Sequence, residues 1–499
     1  MKAAGRMAKL LAAWGLSAAA AAALAGCITN PLGESQVASL PESQAISLPP
    51  APPRLTALDA AAAREHQRLV AAFGGEYRAP SAQALLDAIV QRLGQATERP
   101  SERYQVTLLN SPVVNAFALP NGNVYITRGI LVLANDTSEI ASVLAHEMAH
   151  VITRHAVDRQ ELERTATLVN RVRSDVLQDQ EAAKALNTQG RVAIASFSRQ
   201  QELEADALSV RIIARAGYDP YGATRFLDSL GRTTAIRAQL LGVNPNAAGM
   251  DITATHPSAP ERIQLATLSA RQIGAPGVGE AERNRYLLAI QGVTVADDAA
   301  QGFVRGPTFS HPRLGITFTA PEGFLVENGK DAVVAFSPEG GKAMRFDQVK
   351  LDAGQSLEAY VGSSLIDGAA ASDVEALTIN GQPAATSTSK GDGWSYRIFA
   401  IRSGDKVYRL TYAAREATPA LDADFRRSAE TFRRLTPQET ARLKPLRIAL
   451  VTAGAEDTAE TLAARMASDE PKLERFRVLN GLQVSDRVFA GQRYKVVSE

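Results

Sequence analysis

Apolar positions along the chain change their rhythm several times, and each change marks a unit. From residue 59 the period is helical. Ala60–Phe73 and Ser81–Leu93 place apolar side chains three and four apart, as in Leu85, Leu86, Ile89, Val90 and Leu93. Two alternating pieces follow, Tyr104–Leu108 and Asn123–Thr127, the second after the turn signal Pro120-Asn121-Gly122. Asp136, three residues before Glu139, predicts a capped helix start, and the pattern carries that helix through His155. From Arg159 to about Gly217 there is no proline and one internal glycine, Gly190, which predicts long helices.

Near Gly302–Gly306 the rhythm turns to strands. Gly315–Thr319, Ala332–Phe336, Leu377–Gly381, Ser395–Ile401 and Val407–Tyr412 read as strands, the last two joined by a turn at Ser403-Gly404-Asp405. Helices near Leu357–Ile366 and Asp422–Phe432 make this an α+β module. A last unit runs from strand Ile448–Thr452 through a helix at Leu462–Met466 to strand Tyr494–Val497. The expected architecture is multi-domain: residues 59–290 mainly α with a small edge-strand sheet, a linker at 291–308, an α+β domain at 309–437 and a small βααβ domain at 446–499. At 499 residues the chain exceeds what one core usually supports.

The N-terminal stretch carries Lys2, Arg6 and Lys9, then an apolar run from Leu10 to Ala25, too short for a comfortable membrane span. It closes on Leu24-Ala25-Gly26-Cys27. Cys27 is the only cysteine, so no internal disulfide is possible. The sequence up to Cys27 resembles a bacterial lipobox, which implies a signal peptide at 1–26 and an acylated Cys27. Ile28 after it, rather than Asp, points to the outer membrane by resemblance to enterobacterial lipoproteins. Residues 27–58, rich in Pro, Ser, Gln and Ala, read as an extended tether. Net charge is +1, with 54 basic and 53 acidic residues and no basic-aromatic cluster, which argues against a nucleic-acid partner.

His146-Glu147-Met148-Ala149-His150 is an HExxH motif on a predicted helix. Positions four apart stand one turn apart on one face, so both imidazoles reach one metal while Glu147 stands beside it without ligating. About fifty residues on, Glu202-Leu203-Glu204-Ala205-Asp206 puts more carboxylates on a helix. On spacing alone, His155 rotates off the ligand face and reads as structural, and Glu204 reads as a surface acid.

With Asn115-Ala116-Phe117-Ala118, Thr255-His256-Pro257 and Glu261-Arg262, these motifs resemble the gluzincin metallopeptidases that include HtpX and the type I CAAX prenyl proteases, in their secreted lipoprotein branch. The resemblance covers about Asn115 to Ile263. It implies one Zn²⁺ held by His146, His150 and Glu202, with Glu147 as general base and Asp206 orienting a ligand imidazole. It also implies a loop residue, His256, able to reach the metal, and an edge strand at Asn115, Ala116 and Phe117 that holds substrate. The expected function is zinc-dependent endopeptidase action on misfolded or unassembled envelope proteins in the periplasm. The alternative is a largely latent, chaperone-like or wall-binding lipoprotein whose site His256 closes. The 309–437 module resembles a PsbP-like domain, and 446–499 resembles a LysM module, which implies a peptidoglycan partner.

Overall fold

In the computed structural model, residues 60–158, 180–241, 260–329, 332–363, 365–366, 369–468 and 471–499 are described. The signal-like segment, Cys27, the tether and His256 lie outside them. All described residues fall in the unit Pro50–Glu499. None of their helices is long and apolar enough to cross a membrane.

Helix α1 (Ala60–Ala72) is followed by α2 (Pro80–Ala96), whose proline opens the helix where no N–H partner is needed. The α2 apolar stripe Leu85, Leu86, Ile89, Val90 and Leu93 is buried, as its spacing predicts. Strands β1 (Gln105–Leu109), β2 (Ala116–Ala118) and β3 (Asn123–Thr127) form a sheet in the order β1-β3-β2. β1 runs parallel to β3 and β2 antiparallel to it. The β2–β3 turn needs Gly122: its φ is +86°, and a Cβ there would lie 2.4 Å from the Arg103 carbonyl oxygen.

Helix α3 (Arg128–Leu133) leads to α4 (Thr137–Ile152), which carries HExxH. Asp136 caps α4 by accepting from the Glu139 N–H, and the Glu139 carboxylate accepts from the Asn135 N–H, each at 2.9 Å. The expected extension through His155 is wrong. α4 ends at Ile152, where Thr153 turns its hydroxyl onto the Ala149 carbonyl at 2.7 Å and Arg154 takes φ of +61°. Helices α5 (Gln180–Arg215), α6 (Gly222–Leu241), α7 (Pro260–Ile273) and α8 (Arg283–Ile290) complete the helical region.

The following region is rich in sheet. Strands β4 (Phe303–Arg305), β5 (Thr308–His311), β6 (Ile316–Thr319), β7 (Leu325–Asn328), β8 (Val333–Phe336) and β9 (Lys342–Val349) precede short helix α9 (Leu357–Val361). Then come β10 (Ala371–Ile379), β11 (Gln382–Gly391), β12 (Trp394–Ser403), β13 (Lys406–Ala414), α10 (Pro419–Glu430), β14 (Arg433–Arg434) and α11 (Pro437–Arg442). Seven of these strands make an antiparallel sheet in the order β10-β11-β12-β13-β9-β8-β7, and four make a second in the order β14-β6-β5-β4. Phe309, Phe318, Phe346, Tyr412, Phe425 and Phe432 fill the core they share with α10. The first of the two predicted helices here shrinks to Leu357–Val361, and β4 and β5 begin inside the segment expected to be linker.

The last unit is β15 (Arg447–Thr452), α12 (Ala459–Ala464), α13 (Lys472–Leu479) and β16 (Arg493–Ser498), with the strands paired antiparallel. It is joined to the helical region by main chain and side chain. Gly292 N–H donates to the Ile448 carbonyl, Ile448 N–H to Val293 and Val295 N–H to Leu446, each within 2.9 Å, so residues 292–295 cover the outer edge of β15. Lys495 of β16 is fully buried.

Candidate metal centre

α4 is buried along almost its whole length, so its polar side chains must find partners inside the protein. His146 and His150, one turn apart, bring their Nε2 atoms to 3.1 Å. Glu202 enters from α5. Its carboxylate oxygens lie 3.4 Å from His146 Nε2 and 3.5 Å from His150 Nε2. One ligand atom from each residue falls within 4.8 Å of the others. Two imidazole nitrogens facing each other beside a carboxylate form a donor set that calls for a cation between them, and two His with one Glu is a known catalytic zinc set. The local field agrees. Burial works against positive charge on His146, yet hydrogen bonds to Asp206 and Glu202 outweigh it and push its pKa up to about 10.

Behind the ligands, Asp206 Oδ1 is 3.0 Å from His146 Nδ1. Arg262, from α7, grips Asp206 with two hydrogen bonds, Nε to Oδ2 at 2.6 Å and Nη2 to Oδ1 at 2.7 Å, and its Nη1 lies 3.1 Å from Glu202. Burial tends to raise the Asp206 pKa, but the guanidinium and His146 hold it below the usual carboxylate range. Glu147 is buried next to His146 on the same helix.

Two residues that spacing sets apart from the ligand face lie close to it. Because α4 stops early, His155 folds back, and its Nδ1 lies 2.8 Å from His150 Nδ1. Glu204 is not an open surface acid. Its side chain is 33% exposed and lies 3.5 Å from His155 Nε2, and the contact holds its pKa below the usual range. Arg262 contributes to the resemblance through Glu261-Arg262, yet its sequence neighbours assign it no role, since nothing beside it announces two buried acids as partners.

Ala116 and Phe117 lie in the edge strand β2, which packs against α4, and Asn115 immediately precedes it. The Thr127 N–H donates to the Asn115 carbonyl, and the Leu119 N–H to the Asn123 carbonyl. Bonded pairs alternate along an antiparallel ladder, so residues 115, 117 and 119 face β3 while Ala116 and Ala118 turn their N–H and C=O groups to the free edge. Phe117 stacks on Tyr125 with ring centroids 4.9 Å apart, which fixes the strand's tilt.

A mainly helical region that presents this His-His-Glu set has the organisation of a metallopeptidase domain. Residues 80–270 match the family model for Peptidase family M48, so the chain carries a domain of that family. Among curated relatives, the mitochondrial metalloendopeptidase OMA1 of Arabidopsis thaliana is 31% identical over 163 residues, 32% of this chain and 30% of that one. The beta-barrel assembly-enhancing protease of Escherichia coli K12 is 28% identical over 211 residues, 40% of this chain and 41% of that one. The chain thus spans less than half the length of these relatives. Among solved structures, the cyanobacterial PsbP of Synechocystis covers 26% of this chain and 91% of its own at 16% identity and a TM-score of 0.22.

Proposed function

We propose that the protein is a zinc-dependent endopeptidase that cleaves misfolded or unassembled proteins on the periplasmic side of a bacterial envelope. The observation that carries the reading is the convergence of His146, His150 and Glu202, with Glu147 beside His146 on α4 and the edge strand β2 packed against that helix. His146 Nε2, His150 Nε2 and a Glu202 oxygen would hold the metal, which when bound would polarise the scissile carbonyl and lower the pKa of a water towards neutrality. Glu147 takes the proton of the attacking water and returns it to the leaving amine. Asp206 keeps the His146 proton on Nδ1, which leaves the Nε2 lone pair for the metal. The Ala116 and Ala118 main chain pairs an extended substrate by β-augmentation, a mode that reads backbone more than side chain and suits unfolded chains.

In this reading Cys27 anchors the protein to the outer membrane by its acyl groups, as the lipobox-like run supports. The 309–437 region is PsbP-like. The β15–β16 unit is LysM-like and meets peptidoglycan, and its loop presents exposed Val484 and Phe489. His256 latches the site at rest, so His256→Ala raises turnover of denatured casein. A fall of roughly 100- to 1000-fold would assign it to the oxyanion instead.

The decisive experiment measures zinc content and casein cleavage on the full chain. Wild type should carry about one zinc, and His146→Ala and Glu202→Ala should lose it. Glu147→Gln should keep metal and fold while losing cleavage by orders of magnitude. Glu147→Gln protein that cleaves at the wild-type rate removes the reading. Envelope proteomes of wild-type and Glu147→Gln cells then identify substrates.

A further inference from the structure

A histidine that binds metal through Nε2 leaves Nδ1–H to be satisfied, and the group that accepts it fixes the ring and sets the basicity of the ligand. For His146 the acceptor is Asp206. For His150 the nearest group is another imidazole, His155 Nδ1 at 2.8 Å. We infer that His155 and Glu204 form a second orienting chain that positions His150, parallel to the Asp206–Arg262 arm behind His146. The inference rests on the zinc-site reading above.

Proton accounting gives the chain a direction. If His150 Nε2 offers its lone pair to the metal, its proton sits on Nδ1. His155 Nδ1 must then accept, so the His155 proton sits on Nε2, where the nearest anion is the Glu204 carboxylate at 3.5 Å. At that distance the last link is a long contact between the His155 N–H dipole and the carboxylate, not a full hydrogen bond. His155 Nε2 is buried from water, so the carboxylate faces it through protein and not solvent. Negative charge from Glu204 is thereby felt at His150 through a neutral, oriented ring.

The backbone supports the same purpose. His155 is 4% exposed, and the buried Gln201 amide donates to its carbonyl at 3.0 Å. Gln201 and Glu204 flank Glu202 on α5, so the helix that delivers the third ligand also clamps the ring behind the second. The left-handed Arg154, φ +61°, is what returns the chain to within reach. A purely packing role would need none of this polar alignment.

The test uses the full chain stripped of metal, with zinc affinity read by competition against a chromophoric chelator and histidine tautomers read by ¹⁵N NMR. Wild type should bind zinc, with His150 in the Nδ1–H form before metal is added. His155→Phe should weaken zinc by roughly 10- to 100-fold, the usual loss when an outer partner is removed, and release His150 from that tautomer. Glu204→Gln should weaken it by a smaller factor, and the double variant should be no worse than His155→Phe alone. Should His155→Phe not fold, Glu204→Gln carries the test, because its side chain reaches the surface. Zinc affinity and tautomers unchanged in Glu204→Gln, or affinity within twofold of wild type in folded His155→Phe, overturn the chain while leaving the zinc site standing. Wild type that binds no zinc overturns both.

Discussion

The ammonium of Lys495 lies 2.6 Å from the main-chain oxygen of Ala134, three residues before the helix that carries HExxH begins to wind. It also donates to Val132 at 2.8 Å and approaches Leu133 at 3.4 Å, so one buried side chain caps the end of α3. Asn480 locks its backbone, accepting from the Lys495 N–H at 2.7 Å and donating to its carbonyl at 2.9 Å. Lys495→Leu keeps the apolar stem but strands these carbonyls, and should destabilise the protein by about 3 kcal/mol. Urea unfolding at unchanged m-value measures it, and a loss below about 0.5 kcal/mol would mean the carbonyls find other partners.

The free edge of β2 can be tested without disturbing its ladder. Ala118→Pro removes an outward N–H and no bond to β3, since the β3-facing donors sit at 117 and 119. Cleavage of unfolded protein should fall at least tenfold, mainly through KM, with zinc content unchanged. Phe117→Ala, which removes the ring stacked on Tyr125, should lower stability as well. If Ala118→Pro cleaves as wild type does, substrate does not enter along this edge.

Zinc uptake should release protons. In the metal-free protein burial opposes a charged His146, but Asp206 and Glu202 prevail and raise its pKa from 6.5 to about 10. A raised folded-state pKa means that the stabilising contribution is complete below about pH 6.5 and is lost as pH rises through about 10. Zinc requires the lone pair, so binding at pH 7.5 should expel close to one proton from this group, and affinity should climb with pH. Calorimetry in buffers of different ionisation enthalpy counts the proton. A count of zero would show that His146 is already neutral.

Much of this site was legible because helical spacing is arithmetic. HExxH, and a carboxylate one turn from another in Glu202 and Asp206, declare a shared face before any tertiary contact exists. The cap at Asp136 and the stripe of α2 are equally local. What stayed hidden depended on a break in that arithmetic. Nothing in Thr153-Arg154 announces a helix end with a left-handed arginine, so His155 was counted on around a helix that had already stopped. Arg262 and Lys495 were unreadable for another reason: a buried cation is defined by acids or carbonyls far away in sequence, and its own neighbours say nothing of them. The 242–259 segment with His256 lies outside the described residues.

Arg262 offers the sharpest stability test. It compensates two buried acids at once, Asp206 and Glu202. Arg262→Met should cost the metal-free protein about 3–5 kcal/mol, the usual penalty for stranding a buried charge. Added zinc should recover part of that by neutralising Glu202. The comparison of thermal midpoints with and without zinc decides it. An equal loss in both states would place the role of Arg262 in packing alone.

The long reach of β16 also sets an order of events. Lys495 and the carbonyl it holds at Ala134 are 361 residues apart in the chain, and chains fold from the N-terminus as they are made. The turn that launches the HExxH helix therefore lacks its buried cap until the strand containing Lys495 has emerged. Chains still short of β16 should therefore show no cleavage, and fragments cut before it should be inert rather than unrestrained. Timed casein cleavage during cell-free synthesis would show the lag, and activity that appears before residue 495 is made would contradict it.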